Sequence, residues 1–393
     1  MALPVKPRRV RNVALAEQLA KRRLPRSVYD FVRGGTEGEL TVRDNLAAFQ
    51  EVEFRPHAAV ETRDRVLATT VVGCELSMPV IVAPTGMVRI VHRDGEVGAA
   101  SAAGRAGTAI GVSTLSSYPI EAITAATSGP VFYQVYFAGG RAGARIAIDR
   151  AREAGCRAVI VTVDTAAAAG REERLRGGAI PRQVDLRTAL RYAPEMVTKP
   201  AWVFDFLRGG LDLTTPNVQA EPGGPSLSAA ESSATMRTET PTWEDLGWIK
   251  DRFGGPLIVK GILSVEDARR AIDHGADAIV VSNHGGNALD GTPAALRVLP
   301  SVVDAVGNRT EVLFDSGIRR GGDVVKAMAL GARAVLVGRA YVWGLAAAGE
   351  QGVYDVLQSL RRGIDGTLAL LGCPSVHGLD RSYLHQPNWP SYG

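Results

Sequence analysis

The feature that most constrains this chain is a repeat: short apolar, β-branched runs begin near residue 79 and alternate with Ala-rich amphipathic stretches. Eight runs are present: PVIVAP (79–84), TAIGVS (108–113), VFYQVY (131–136), AVIVTV (158–163), PLIVKG (256–261), AIVVSN (278–283), EVLFDS (311–316) and AVLVGR (334–339). Continuously apolar strands are buried on both faces, as a parallel sheet covered by helices requires. Several intervening segments open on acidic or capping residues and close at a glycine, as in 149–155, 264–275 and 322–331. Eight strand-helix units predict an α/β fold, the (β/α)8 TIM barrel. A doubly wound open sheet is the alternative, but no GxGxxG follows an early strand.

Around this repeat, 1–78 reads as a helical preamble, 79–370 as the barrel and 371–393 as a C-terminal tail, so that 1–393 is expected to be one domain. A long excursion, 171–250, separates the fourth and fifth runs, and its 177–240 part is expected to be mobile or to form a lid. Within it, EPGGPSLSAAESSATMRTET (221–240) has the composition of a mobile surface loop. The apolar stretch with Trp202, Phe204 and Phe206 reads as a lid or core packing rather than a membrane or partner contact, because no polybasic run accompanies it.

Composition excludes several function classes. Lys and Arg (45) exceed Asp and Glu (41) by only 4, and the excess is spread out, so no nucleic-acid partner is expected. The local basic cluster of Lys6, Arg8, Arg9, Arg11, Lys21, Arg22 and Arg23 reads as a solvated helix face. Cys74, Cys156 and Cys373 lie far apart without CxxC spacing or clustered histidines, so neither a metal site nor a disulfide framework is expected. No signal-peptide core and no run of 18 apolar residues occurs, which points to a cytoplasmic protein without membrane attachment.

Barrel active sites sit at the C-terminal ends of the strands. Those ends carry Ala83-Pro84-Thr85-Gly86, Ser113, Gln134 with Tyr136, Thr162 with Asp164, Lys260, Ser282-Asn283-His284-Gly285-Gly286, Asp315-Ser316-Gly317 and Gly338-Arg339. One strand-end Ser or Asp is ordinarily a helix cap; polar groups at all eight ends imply a cavity for a large polar ligand. The last two loops, with Gly317, Arg319, Gly338 and Arg339, suit a phosphate. Lys260 ends an otherwise apolar strand, so its ammonium must find an anionic partner in the cavity. His284, in a Gly-rich turn, can titrate and reach a substrate proton, and Asp164 can orient its imidazole.

Taken together, VSNHGGNALDG (281–291), TVDT (162–165), LIVKGI (257–262), FDSGIRRGGDV (314–324) and VGRA (337–340) resemble the FMN-dependent 2-hydroxy-acid oxidase and dehydrogenase family, over a stretch from LPRSVYDF (24–31) to LLGC (370–373). The resemblance implies FMN, held by Ala83, Pro84, Thr85, Ser113, Gln134, Thr162, Lys260 and Ser282. It places the FMN phosphate on Asp315, Ser316, Gly317, Arg319, Gly338 and Arg339. It implies that His284 is the catalytic base paired with Asp164, that Lys260 stabilises the reduced flavin at N1 and the C2 carbonyl, and that Tyr136 and Arg171 contact substrate. Gly86 falls where the flavin N5 edge would lie. Barrels of the family often form tetramers, so a homo-oligomer is expected.

Two positions depart from the family pattern. Asn287 stands where an arginine forks onto the substrate carboxylate, and Phe31 replaces a tyrosine that holds the same group. Losing a guanidinium and a hydroxyl removes charge and directed donors for an anion. A neutral small-molecule substrate, an amide, lactam or ester with CH–OH or CH–NH2 beside its carbonyl, tolerates both changes. SNHGGNxLDGTPA, PTWEDLGWIK (241–250), 318–347 and GIDGTLALLG (363–372) are similar to one subgroup, the pre-mycofactocin synthases. That resemblance implies oxidative deamination of a peptide-derived aminopyrrolidinone, with O2 as acceptor. The loop TVDTAAAAGREERLRGG (162–178) is closer to ordinary family members. The alternative is a conventional (S)-2-hydroxy-acid oxidase or quinone-linked dehydrogenase, in which Arg171 and another basic residue of the excursion bind the carboxylate. An FMN barrel without net oxidation, such as isopentenyl-diphosphate isomerase, would share the phosphate loops but not need His284 with Asp164.

Overall fold

The structure, a computed structural model, describes residues 9–165, 193–210, 214–219, 221, 223–236, 239–385, 387 and 389–392. Eight parallel strands close into a barrel: β1 (Val80–Val82), β2 (Ile110–Ser113), β3 (Val131–Val135), β4 (Ala158–Thr162), β5 (Leu257–Ile262), β6 (Ala278–Val281), β7 (Glu311–Phe314) and β8 (Ala334–Val337). Their order around the barrel is their order in the chain, with β8 pairing β1 through Val335 and Val80. Each expected apolar run therefore contributes one strand.

Two apolar layers hold the barrel. The outer faces pack against the surrounding helices, while the inner faces of Ile81, Phe132, Ile160, Ile258, Val280, Leu313 and Leu336 fill the lumen. A hairpin of Thr69–Val71 and Cys74–Leu76 closes the N-terminal mouth, placing Val71, Cys74 and Leu76 on the same lumen cluster. Side chains alternate along a strand with a period of two. Two residues beyond the lumen layer come Ala83, Gln134, Thr162, Lys260, Ser282, Asp315 and Gly338, joined by Ser113 beside Gln134 in the β2–β3 register. The same alternation that fills the core thus sets a polar ring at the C-terminal mouth.

The preamble is not purely helical. Helices Val13–Arg23, Arg26–Arg33 and Leu40–Glu51 are followed by Glu53–Phe54, which pairs antiparallel with Leu384–His385 of the tail, and by the plug hairpin. Arg23 also departs from the solvated-face expectation: it pairs with the buried Asp205 at 2.9 Å and donates to the Val91 and Ala346 carbonyls. Lys6 and Arg8 lie outside the described residues.

The excursion is more ordered than its composition suggests. Helix Pro200–Arg208 docks on the β1 loop, with Trp202 buried and its Nε1–H donating to the Ile90 carbonyl at 2.9 Å. Phe206 stacks on Trp202, while Phe204 faces solvent. Thr214–Gln219 and Ser226–Ser228 form an antiparallel ribbon, and Ser228 with Glu231 makes a capping box that starts helix Ala229–Thr235. The expected mobile loop at 221–240 thus contains a strand and a capped helix among its described residues. No helix among the described residues is long and apolar enough to cross a membrane. The three cysteines are buried and free.

Candidate active site

The loop after β6 presents His284 with φ +58, in the left-handed region that β-carbon sterics disfavour. Every polar backbone contact around it works to hold that turn. The His284 N–H donates to Ser282 Oγ at 3.0 Å, and the His284 carbonyl accepts Asn287 Nδ2 at 2.9 Å and the Asn287 N–H at 3.2 Å. The Gly286 carbonyl accepts the Thr36 N–H at 3.0 Å, which ties the loop to the segment following helix Arg26–Arg33. Below it, Asn283 and Asn45 exchange two amide hydrogen bonds of 2.8 Å each.

The imidazole lies between two partners. Nδ1 is 3.0 Å from Asp164 Oδ1, and Nε2 is 3.5 Å from the Tyr136 hydroxyl. Burial opposes the Asp164 charge, yet His284 and then Lys260 outweigh it and hold the carboxyl below its ordinary range. Gly261, at φ +106, leaves no room for a side chain here, since a Cβ would sit 2.7 Å from the Asp164 carboxyl carbon. Burial, then the Asp164 charge, pushes the Tyr136 phenol above its ordinary range, so Tyr136 stays protonated.

Lys260 Nζ donates to Ser282 Oγ at 3.0 Å and pairs with Asp315 Oδ2 at 3.2 Å. Burial disfavours its charge, but Asp315 and Asp164 together raise its pKa above that of an ordinary lysine. An ammonium is therefore fixed at the centre of the polar ring. Beside it, Gln134 Nε2, Thr162 Oγ1 and Asp164 Oδ2 are buried polar atoms without a hydrogen-bond partner. Buried polar groups are almost always satisfied, so unpartnered atoms on β3 and at the end of β4 mark where a polar ligand contacts the protein.

The phosphate loops divide their donors. Burial pulls the Arg319 guanidinium below its ordinary range, against the opposing charges of Glu17 and Asp323, and it donates to the Ile318 carbonyl at 2.9 Å. A Cβ on Gly338 would meet only Ala83, at 4.0 Å, so the start of helix Arg339–Leu371 faces open space. Arg339, by contrast, directs its guanidinium to the carbonyls of Val32, Gly285 and Gly34 at 3.0, 2.6 and 2.7 Å. The Asp315 carboxylate pairs with Lys260, and the Ser316 hydroxyl accepts the Gly285 N–H. Arg319 and the backbone at Gly317 and Gly338 are thus the groups at this mouth that face a prospective phosphate, while the Arg339 side chain joins helix Arg26–Arg33 and Gly34 to the His284 loop.

The remaining expected residues fall as follows. Thr85 Oγ1 lies 3.4 Å from the Ala83 carbonyl, Ser113 Oγ accepts the Leu115 N–H at 3.1 Å, and Pro84 packs over Gly111. Phe31 is half-buried on helix Arg26–Arg33. Arg171 lies outside the described residues. Sequence reading missed Glu96, which is buried and accepts the Val88 and Ser117 N–H groups at 3.4 and 2.9 Å, bracing the β1 and β2 loops. Its signal was available: an acid in the first turn of helix Gly95–Arg105, directly after the first strand loop.

This donor set fits a phosphorylated isoalloxazine: a lysine at the ring centre, unpartnered amide and hydroxyl groups on β3 and β4, and a glycine-arginine cradle after β7 and β8. Residues 20–386 match the FMN-dependent dehydrogenase family, and the chain belongs to it. It is therefore an FMN-dependent oxidoreductase of the hydroxy-acid oxidase type. It is 50% identical over 372 residues to pre-mycofactocin synthase of Mycobacterium tuberculosis, covering 94% of this chain and 92% of that one. It is 37% identical to L-lactate oxidase of a Nostoc species, over 95% and 98% of the two chains. Among solved structures, the monotopic membrane protein (S)-mandelate dehydrogenase superposes with a TM-score of 0.87 at 37% identity, covering 96% and 100%.

Proposed function

We propose that the protein oxidises the α-carbon, CH–NH2 or CH–OH, beside the carbonyl of a neutral lactam or amide, with O2 as acceptor and H2O2 as product. The observation that carries this reading is Asn287. Its amide nitrogen turns back on the His284 carbonyl at 2.9 Å, in the place where a carboxylate-binding relative would present a guanidinium. Phe31 supplies no hydroxyl in compensation. Similarity to pre-mycofactocin synthase across 94% of the chain supports the same class of substrate.

In this reading FMN, when bound, supplies the two-electron oxidation. His284 accepts the substrate proton at Nε2, because Asp164 holds the Nδ1 side. As the imidazole becomes charged, the carboxylate 3.0 Å away stabilises it. The neutral Tyr136 hydroxyl, near the same Nε2, orients the substrate heteroatom. Lys260 keeps a positive charge beneath the cofactor site, where anionic character develops. Residues 83–85, Ser113, Gln134, Thr162 and Ser282 hold the ring; Arg319, Gly317 and Gly338 hold the phosphate. A homo-oligomer acting in the cytoplasm completes the proposal.

The test is anaerobic mixing of the yellow protein with the aminopyrrolidinone lactam, (S)-lactate and (S)-mandelate in separate cells. Bleaching of the flavin band by the lactam alone, followed by H2O2 release on admitting air, is expected. Bleaching by the hydroxy acids alone would overturn the reading in favour of a conventional (S)-2-hydroxy-acid oxidase.

A further inference from the structure

Two consecutive peptide N–H groups fix the turn at the catalytic histidine, and each is held by a serine hydroxyl. The His284 N–H donates to Ser282 Oγ and the Gly285 N–H to Ser316 Oγ, both at 3.0 Å. The two hydroxyls are joined behind the loop. Ser316 Oγ donates to Asp315 Oδ1 at 2.7 Å, Asp315 Oδ2 pairs with Lys260 Nζ at 3.2 Å, and Lys260 Nζ donates to Ser282 Oγ at 3.0 Å. The circuit runs from β5 through β7 to the β6 loop and closes on the backbone that carries the imidazole. All four of its side-chain members are buried.

Ser316 is held there against its own backbone preference. Its φ is +84, a conformation that glycine adopts freely and that costs other residues of order 1 kcal/mol or more. A glycine would be the default, and what serine adds is the hydroxyl. Resting on the assignment of His284 as the base, we propose that Ser316 and Asp315 are positioning residues for His284: Asp315, anchored by Lys260, orients the Ser316 hydroxyl, which clamps the Gly285 N–H and fixes the left-handed turn that aims the imidazole. Arg339 completes the clamp from the other side of the same residue, donating to the Gly285 carbonyl at 2.6 Å. The loop that follows β7 thereby serves the proton-transfer residue as well as the cofactor phosphate.

Two variants separate strain from hydrogen bonding. Ser316→Gly removes the hydroxyl and relieves the backbone, whereas Ser316→Ala removes the hydroxyl and keeps the strain. Both FMN-loaded variants are expected to show Gly285 amide exchange, read by NMR, at least about tenfold faster than the wild type, and a limiting flavin-bleaching rate about tenfold lower, because small misplacements of a reacting group cost one to two orders of magnitude. Rates are read on FMN-saturated protein, so that any change in cofactor affinity does not enter them, and only Ser316→Ala is expected to lose thermal stability. Bleaching is read with the aminopyrrolidinone lactam and with (S)-mandelate in parallel. If mandelate alone reduces the wild type, the neutral-substrate reading fails while the comparison at Ser316 still decides this proposal; if neither does, exchange of the His284 Nδ1–H decides it, with faster exchange expected in both variants. A Ser316→Gly protein that bleaches at the wild-type rate, or keeps its Gly285 amide protected, overturns the proposal.

Discussion

Replacing Asp164 by Asn tests how the histidine is made into a base. The carboxylate is half-buried with its Oδ2 shielded from solvent, 3.0 Å from His284 Nδ1, and the pair is only partly screened by solvent. A hydrogen bond to a charged partner is worth about 1.5–3 kcal/mol, which at about 1.4 kcal/mol per decade is roughly 10- to 150-fold in rate. A second effect adds to this. Asp164 Oδ2 has no hydrogen-bond partner, so the new amide can turn either oxygen or nitrogen toward the ring. With nitrogen inward the proton moves from Nδ1 to Nε2, and the lone pair needed for proton abstraction is gone, a change that costs about 10⁴ in serine hydrolase triads. Asp164→Asn should therefore retain FMN and lower the limiting rate of anaerobic flavin bleaching by at least about tenfold, measured by stopped-flow absorbance. A variant that bleaches within a factor of two of the wild type would refute the role given to Asp164.

Three further changes probe other parts of the account. Asn287→Arg should speed bleaching by (S)-mandelate by about tenfold or more, the worth of one charged hydrogen bond, and no gain would count against the reading of that position. Arg319→Ala should weaken FMN binding by about 10- to 100-fold in a fluorescence titration while leaving riboflavin affinity unchanged; equal losses for both ligands would remove Arg319 from the phosphate. Glu96 is raised by burial from 4.5 to about 7, so the folded chain resists its ionisation. Its folded pKa exceeds the unfolded one, and the native state loses stability as pH rises between about 4.5 and 7, by up to about 3 kcal/mol. The melting temperature of Glu96→Gln minus that of the wild type should accordingly be more positive at pH 8 than at pH 5, and a difference independent of pH would contradict the assignment.

The barrel was legible because each strand carries its own signal. β4, with five consecutive buried apolar or small residues ending at Thr162, can belong only to a sheet covered on both faces. The polar ring was legible for the same reason, since a period of two places Gln134, Thr162 and Lys260 above Phe132, Ile160 and Ile258 without knowledge of the loops. Less accessible were side chains whose partners lie far away in sequence. Arg339 reads as a phosphate ligand from its Gly-Arg context, but its bonds to carbonyls more than 300 residues upstream on the N-terminal segment have no signal near it in the sequence. Arg23 reads as a surface charge, yet it is half-buried and paired with the buried Asp205. The excursion misled through composition: Ser, Gly and Pro at 221–228 suggest a loop, whereas pairing with Thr214–Gln219 and the Ser228–Glu231 box provide order that no local average reveals. The Gly-rich turn at His284 was legible, but its left-handed backbone and the serine clamp behind it depend on strands β5 and β7.

The central claim, that the substrate carbonyl is uncharged, is met most directly by a matched pair of reductants differing only in charge. The limiting rate of flavin bleaching divided by the apparent dissociation constant should be measured anaerobically for (S)-mandelamide and (S)-mandelate at the same pH and ionic strength. A higher value for the amide is predicted, because neither Asn287 nor Phe31 offers a cation or hydroxyl to the carboxylate. A higher value for the acid would show that the site still recognises an anion and would contradict the account.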